Sequence, residues 1–62
     1  MHKFKELAKM LGVPYRRRFS TNGYGDLKID DKGVYNYEDN EYDLESLYLL
    51  LSGDIEIVEE EK

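Results

Sequence analysis

The stretch LKIDDKGVYNY, residues 27–37, is the strongest indication of the fold, because it has the pattern of two β-strands joined by a tight turn. Its first four residues alternate apolar and charged side chains, which is typical of a strand with one buried face. Residues 31–33 end on a glycine, where a tight turn requires a left-handed backbone. Residues 34–37 continue as a second strand, with Tyr35 and Tyr37 on the same face. The stretch therefore predicts a β-hairpin.

A further strand is predicted immediately before this hairpin. Residues 15–20 follow a period of two, which puts Tyr15 and Phe19 on one face. An Asn-Gly pair at residues 22–23 is a strong turn signal between two such runs. Residues 15–37 are therefore predicted to form a three-stranded antiparallel meander.

A helix is predicted before the meander. Four apolar residues recur there at helical spacing and form one stripe: Phe4, Leu7, Ala8 and Leu11. Gly12 is suited to the left-handed residue that ends a helix, and Pro14 cannot continue one.

A second helix is predicted after the polar loop of residues 38–41. Its apolar stripe has the same spacing: Leu44, Leu47, Tyr48 and Leu51. Asp43 is placed to cap its first turn and Gly53 to end it. The alternative is a hairpin that pairs residues 47–51 with residues 55–58. The helix is favoured because acidic residues occupy its first turn, where the helix dipole stabilises them.

These elements predict a small α+β domain over residues 1–58, followed by an acidic tail at residues 59–62. The expected order is α-β-β-β-α-β, with a last short strand from residue 55. Both helices are expected on one face of a short antiparallel sheet. Such a sheet leaves two edges, so the chain is expected to be a monomer or a weak homodimer.

Composition narrows the functional classes. The chain has 62 residues and no cysteine, which excludes disulfides and thiolate chemistry and favours a cytoplasmic setting. No apolar run approaches the roughly 18 residues that span a bilayer, so no membrane partner is expected. Residues 1–28 hold seven Lys/Arg against two Asp/Glu, whereas residues 29–62 hold two against twelve. The charge of the chain is therefore strongly bipolar.

One candidate site combines the arginine triplet with aromatic side chains. Arg16, Arg17 and Arg18 lie next to Tyr15 and upstream of Tyr24, and such combinations bind phosphates and stack on bases. The alternative is a strand whose rings fill the core while the arginines pair with downstream acids. This second interpretation is favoured, because the net charge of −5 repels phosphate at long range.

The other candidate site is the acidic segment after the meander. Asp39, Glu41 and Asp43 surround Tyr42, and a tyrosine in a turn is a suitable anchor for a basic protein partner. The segment lacks the glycine and the closing glutamate of a calcium-binding loop. No catalytic set, metal site or cofactor motif is found, so the chain is predicted not to be an enzyme.

Three segments resemble a family of short uncharacterised proteins encoded by phages and prophages of Gram-positive bacteria. They are FKELAKMLGV at residues 4–13, GVY at 33–35 and LLLSGDIEIV at 49–58. The chain departs from that family in its arginine triplet and in lacking a basic tail with Trp and Pro. The resemblance implies a bacterial cytoplasmic setting and no established activity, cofactor or catalytic residue.

The resulting prediction is a phage-type accessory protein that acts by protein–protein interaction, with an unidentified protein as its partner. The alternative prediction is a nucleic-acid-binding module that uses the arginine triplet.

Overall fold

The computed structural model describes residues 3–58. Its elements, in chain order, are α1 (Lys3–Leu11), β1 (Arg18–Thr21), β2 (Asp26–Asp30), β3 (Gly33–Asn36), β4 (Glu41–Tyr42), α2 (Leu44–Ser52) and β5 (Ile57–Val58). The strands form one antiparallel sheet in the order β4-β3-β2-β1-β5. The first four strands are sequential neighbours, and α2 carries the chain to the opposite edge. The predicted α+β class is confirmed, while the predicted tail at residues 59–62 lies outside the described residues.

The predicted meander is present, but its first strand begins later than predicted. β1 starts at Arg18 rather than at Tyr15, because Arg16 adopts a left-handed backbone with φ of 66°. The Arg16 N–H donates to the carbonyl of Ile29 at 2.6 Å, and Tyr15 forms only an isolated bridge with Ile29. The period of two from residue 15 is therefore interrupted within the arginine triplet.

The polar segment predicted as a loop contains the additional strand β4. Asn36 starts the preceding turn, since its Oδ1 accepts from the N–H of Glu38 at 2.8 Å. Asn40 completes the turn with φ of 59°, a conformation that asparagine tolerates better than most residues. Glu41 and Tyr42 then pair with β3, so a two-residue edge strand forms where the sequence shows only polarity.

The core lies between the sheet and the two helices. Leu27, Ile29 and Val34 are its most buried large side chains, and they come from the predicted hairpin of residues 27–37. α1 packs over β2 and buries Leu7 and Ala8, as its stripe predicts. It ends as predicted, with Gly12 left-handed at φ of 76° and the N–H of residue 13 donating to the carbonyl of Ala8 at 3.0 Å.

α2 is a helix, which decides against the hairpin alternative, but three of the four residues in its predicted stripe are not buried. Leu47 is half-buried against the core as predicted, whereas Leu44, Tyr48 and Leu51 are exposed. The fully buried side chains are Ser46 and Leu50. Asp43 caps the helix as predicted, accepting from the N–H of Glu45 at 3.0 Å.

The cap explains the rotation of α2. The same Asp43 carboxylate accepts from Ser46 Oγ at 3.1 Å and from Nδ2 of the buried Asn36 on β3 at 3.5 Å. The contact with Asn36, together with the Asp43 N–H that donates to the carbonyl of Val34 at 2.9 Å, holds the start of α2 against β3. Leu50, one turn further on, shares that side and enters the core. The face of α2 that the cap contacts turn towards the sheet is the face that is buried.

Candidate functional site

The face of the sheet opposite the helices carries a row of large side chains across four strands. Lys28 lies between two buried residues of β2, so its side chain points to this opposite face. The strand register places Arg18 and Tyr35 on either side of Lys28, and Tyr42 beyond Tyr35. Tyr37 adjoins the row. We call Arg18, Lys28, Tyr35, Tyr37 and Tyr42 the tyrosine face.

The rings of the tyrosine face pack edge to face. The Tyr35 ring centroid is 4.9 Å from that of Tyr37 and 5.1 Å from that of Tyr42, with interplanar angles of 74° and 77°. Such T-shaped pairs are the arrangement that aromatic quadrupoles favour. Arg18 Cζ lies 3.8 Å from the Tyr37 ring centroid and Lys28 Nζ 5.0 Å from that of Tyr35. Each cation is thus held over a ring, where the π-system attracts it.

Two aspartates neutralise the cations of the tyrosine face. Asp26 lies 3.7 Å from Arg18 Nε, and Asp30 lies 3.4 Å from Lys28 Nζ. Tyr42 Oη donates a short hydrogen bond of 2.6 Å to Asp30 Oδ2. The face therefore presents ordered rings and paired charges instead of a net positive patch.

The hydrogen bond between Tyr42 and Asp30 changes the ionisation of both groups. Together with burial and the nearby negative charge, it raises the pKa of Tyr42 to about 12. Burial alone would raise the pKa of Asp30, but hydrogen bonds from Tyr42, from the Lys32 N–H and from Lys28 outweigh it, so that pKa lies below its usual value. At neutral pH the phenol is protonated and the carboxylate is charged, which fixes the ring in place.

The four residues predicted to bind a partner have different surroundings. Tyr42 lies on the tyrosine face and is 39% exposed, and Glu41 is exposed beside it on the edge strand. Asp39 is exposed, with one carboxylate oxygen 3.5 Å from Asn36 Nδ2.

The fourth residue of that set, Asp43, is occupied in capping α2. Burial would raise the pKa of its carboxyl, but hydrogen bonds from Glu45, Ser46 and Asn36 outweigh this and lower it. The predicted set therefore separates into exposed side chains and one structural cap.

The residues predicted to bind nucleic acid are not brought together. Arg18 joins the tyrosine face, whereas Arg16 lies over the Tyr15 ring with Cζ 5.2 Å from its centroid. Arg17 is exposed and makes no ion pair with a described residue. Tyr24 lies in the turn between β1 and β2 and is 40% exposed. The triplet thus does not form one positive patch.

Sequence reasoning did not identify Lys28 and Asp30 as parts of a site. The period of two placed Tyr35 and Tyr37 on one face, but it did not distinguish the core face from the open one. The sequence pattern also does not predict the strand register, which brings Arg18 and Tyr42 into the same row.

A second surface lies on the outer side of the helices. Leu44, Tyr48 and Leu51, here called the helical stripe, are 82%, 66% and 62% exposed, and Met10 on α1 is 78% exposed. A groove of about 450 Å³ runs between the helices. Its apolar lining consists of Phe4, Leu7, Met10, Leu47 and Leu51, with Lys3 and Glu6 at its rim.

The described residues form no metal cluster and no membrane-spanning helix. Within residues 3–58, no three or more His, Asp or Glu side chains are arranged to hold a metal ion. No helix in that part of the chain is long and apolar enough to cross a membrane. Comparisons with models of protein families, with curated proteins and with solved structures found no match to this chain.

Proposed function

We propose that this chain is a non-enzymatic, phage-type accessory protein of the bacterial cytoplasm that binds another protein through its tyrosine face. The observation that carries the proposal is the row of Arg18, Lys28, Tyr35 and Tyr42 across the uncovered side of the sheet. Tyr and Arg are the residues most often found at the centres of protein interfaces, where they contribute a large share of the binding energy.

The packing of this row favours binding. The T-shaped contacts of Tyr35 with Tyr37 and Tyr42 hold the rings in place before a partner arrives. A surface that is ordered in advance loses less side-chain entropy when it is covered. Tyr42 is the accessible end of the row, since its ring is partly exposed while its hydroxyl is anchored on Asp30.

The charge next to Tyr42 supports a basic partner. Glu38, Asp39 and Glu41 are exposed in the turn and edge strand beside it, and residues 38–45 include no Lys or Arg. A cluster of one sign attracts a surface of the opposite sign and speeds association. We therefore propose a partner that presents Lys or Arg side chains to this edge.

Nucleic-acid binding is the less favoured alternative. Arg18 is suitably stacked on Tyr37, but Asp26 and Asp30 pair with the two cations of the same face. Phosphate binding would require these carboxylates to be displaced or screened, and binding by counterion release needs several free cations.

Photo-cross-linking at two matched positions tests the proposal. p-Benzoylphenylalanine replaces either Tyr42 or Tyr24, which are 39% and 40% exposed, and each protein is irradiated in a lysate of a Gram-positive bacterium. We expect a discrete adduct at position 42 that protease destroys and nuclease does not. Raising the salt concentration should reduce its yield, because screening weakens attraction between exposed charges.

Two results would count against protein binding at this face. Equal adducts at positions 42 and 24 would indicate non-specific contact. A nuclease-sensitive adduct that Arg18→Ala abolishes would favour the nucleic-acid alternative.

A further inference from the structure

α2 has more apolar surface than its own protomer covers. Its sequence LESLYLLLS places leucine or tyrosine on nearly every side of the helix, and a helix that is apolar all round is normally buried all round. Here Ser46 and Leu50 are buried, and Leu47 and Leu49 are half-buried against the core. The helical stripe of Leu44, Tyr48 and Leu51 is exposed on the helix layer, and at one end Leu44 lines a small cavity together with Tyr42 of the tyrosine face.

We propose that this surface is the interface of a two-fold symmetric dimer. The helical stripe is a ridge that borders the groove between the helices, and Leu51 belongs to both, since it lines the groove together with Phe4, Leu7 and Met10. A two-fold axis can therefore seat the ridge of each copy in the groove of the other. An adjacent ridge and groove make the surface complementary to itself, which a closed two-fold interface requires.

The charges of the two helices also fit this pairing. α1 carries Lys3, Lys5 and Lys9 against one acid, Glu6, whereas α2 carries Glu45 and no basic residue. At 100° per residue, Glu45 lies on the side of α2 turned away from Leu47 and therefore away from α1 of its own copy. Seating α2 in the groove of a second copy brings Glu45 towards the basic α1 of that copy.

The size of the surface fits a small dimer interface. The largest apolar patch on a typical monomer covers about 300–600 Å². The four outward side chains Met10, Leu44, Tyr48 and Leu51 are each more than three-fifths exposed, and the lining of the groove adds to them. Stable interfaces bury about 800 Å² per partner. Four exposed apolar side chains beside one groove make a small interface core, so we expect a dimer of modest affinity.

A lipid surface fits this face less well. Helices that lie on membranes usually have Lys and Arg on their polar side, where they meet anionic headgroups. The polar residues beside the helical stripe on α2 are Glu45 and Ser52, and the rim of the groove carries one base and one acid, Lys3 and Glu6. The acidic side of α2 would be repelled by such headgroups, whereas it is attracted to α1 of a second copy.

Sedimentation equilibrium from about 10 µM to about 1 mM tests the dimer over the range where modest affinities are measured. We expect the wild-type mass to double across the series. Leu51→Glu should weaken association at least about 30-fold, as expected for an interface anchor, while its circular dichroism stays that of the wild type. Tyr24→Glu introduces the same charge at an exposed turn away from the helices and should dimerise normally.

Two further variants keep the test decisive. Leu51→Ser is a milder change and should weaken the dimer even if Leu51→Glu fails to fold. Glu45→Lys should weaken it a few-fold, and Glu45→Lys combined with Lys3→Glu should restore it, because exposed charge pairs have modest energies.

Three results would overturn the proposal. The first is a wild-type chain that stays monomeric at about 1 mM, the weak end of measurable association. The second is a dimer that both Leu51 variants leave intact, which would place the contact at a sheet edge instead. The third is a monomer that binds phosphatidylglycerol vesicles in a Leu51-dependent manner, which would assign the surface to lipid.

Discussion

The open face of the sheet and the outer side of the helices differ in whether their side chains contact one another or solvent. The sheet face has no helix over it, yet its rings and charges contact one another: Tyr42 is bonded to Asp30, and Lys28 lies over Tyr35. The helical layer covers the core, yet Leu44 and Leu51 on its outer side face solvent. The side of the sheet that no helix covers is therefore not the most apolar surface of the protein. The most exposed apolar side chains lie on the outer side of the helices.

The sharpest comparison lies within α2, between two neighbouring leucines. Leu50 is 3% exposed and Leu51 is 62% exposed. We expect Leu50→Ala to destabilise the fold by about 2–5 kcal/mol, because it removes buried methyl groups and leaves a cavity. Leu51→Ala should change stability by less than about 0.5 kcal/mol, as surface substitutions usually do.

Urea unfolding at low micromolar concentration measures both variants without a contribution from self-association. The two substitutions change helix propensity equally, so the difference between them reports burial alone. Equal losses, or a larger loss for Leu51→Ala, would mean that α2 is rotated and that its stripe faces the core.

The cap that sets this rotation provides the next largest effect. Asp43→Ala removes the acceptor for the N–H of Glu45 and for Ser46 Oγ, and should cost about 1–2 kcal/mol. Asp43→Asn retains a capping oxygen and should cost clearly less. Thermal unfolding followed by circular dichroism measures both. If the two variants lose the same stability, hydrogen bonding by the cap is not what positions α2.

Acid should weaken both sides of the molecule through two aspartates. The pKa values of Asp30, on the tyrosine face, and Asp43, at the cap, lie below their usual value because hydrogen bonds favour the charged carboxylates. A lowered pKa in the folded state gives stability that is present above the ordinary value of about 3.9 and is lost as the pH falls through the lowered pKa. The urea concentration at the midpoint of unfolding should therefore decrease as the pH is lowered below about 4.

Asp43→Asn measures how much of this loss of stability in acid comes from Asp43, because the asparagine side chain does not titrate. Its urea midpoint should depend less on pH between about 5 and 3 than that of the wild type, since an aspartate ordinarily titrates in this range. Glu41→Gln removes an equal charge from an exposed side chain and controls for net charge. An acid dependence in Asp43→Asn as steep as that of the wild type would contradict a stabilising role for the charged cap.

The smallest expected effects come from two tyrosine hydroxyls. Tyr42→Phe removes the hydrogen bond to Asp30 and should cost about 0.5–1.5 kcal/mol. The hydroxyl of Tyr15 is buried and makes no hydrogen bond with a described residue, so Tyr15→Phe should leave stability unchanged or raise it. Urea midpoints compare the two. A loss from Tyr15→Phe as large as that from Tyr42→Phe would show that the Tyr15 hydroxyl is satisfied.

The sequence predicted the structure best where the spacing of apolar residues allowed only one buried face. α1 has a polar side and an apolar side, so its buried face and its glycine end were predicted correctly. The hairpin of residues 27–37 was likewise predictable from alternation and turn chemistry. α2 has leucines on several sides, so periodicity could not select the buried one; the contact of Asp43 with Asn36, across the fold, makes that selection.

The candidate site was less predictable than the fold. Tyr42 was identified as an anchor, but its neighbours on the tyrosine face come from three other strands. Their association depends on the register that joins Arg18, Lys28 and Tyr35 in one row. The left-handed backbone at Arg16, which separates the arginine triplet, also has no signal in composition or alternation.

The two surfaces are expected to act separately: the tyrosine face binds a partner protein, and the helical stripe binds a second copy. The most direct test combines Leu51→Glu with the photoreactive residue at position 42 and measures the adduct yield in lysate. We predict a monomeric chain that still forms the protease-sensitive adduct at the yield seen without Leu51→Glu. Loss of that adduct in a folded Leu51→Glu chain would contradict the claim, because the partner would then depend on the helical stripe.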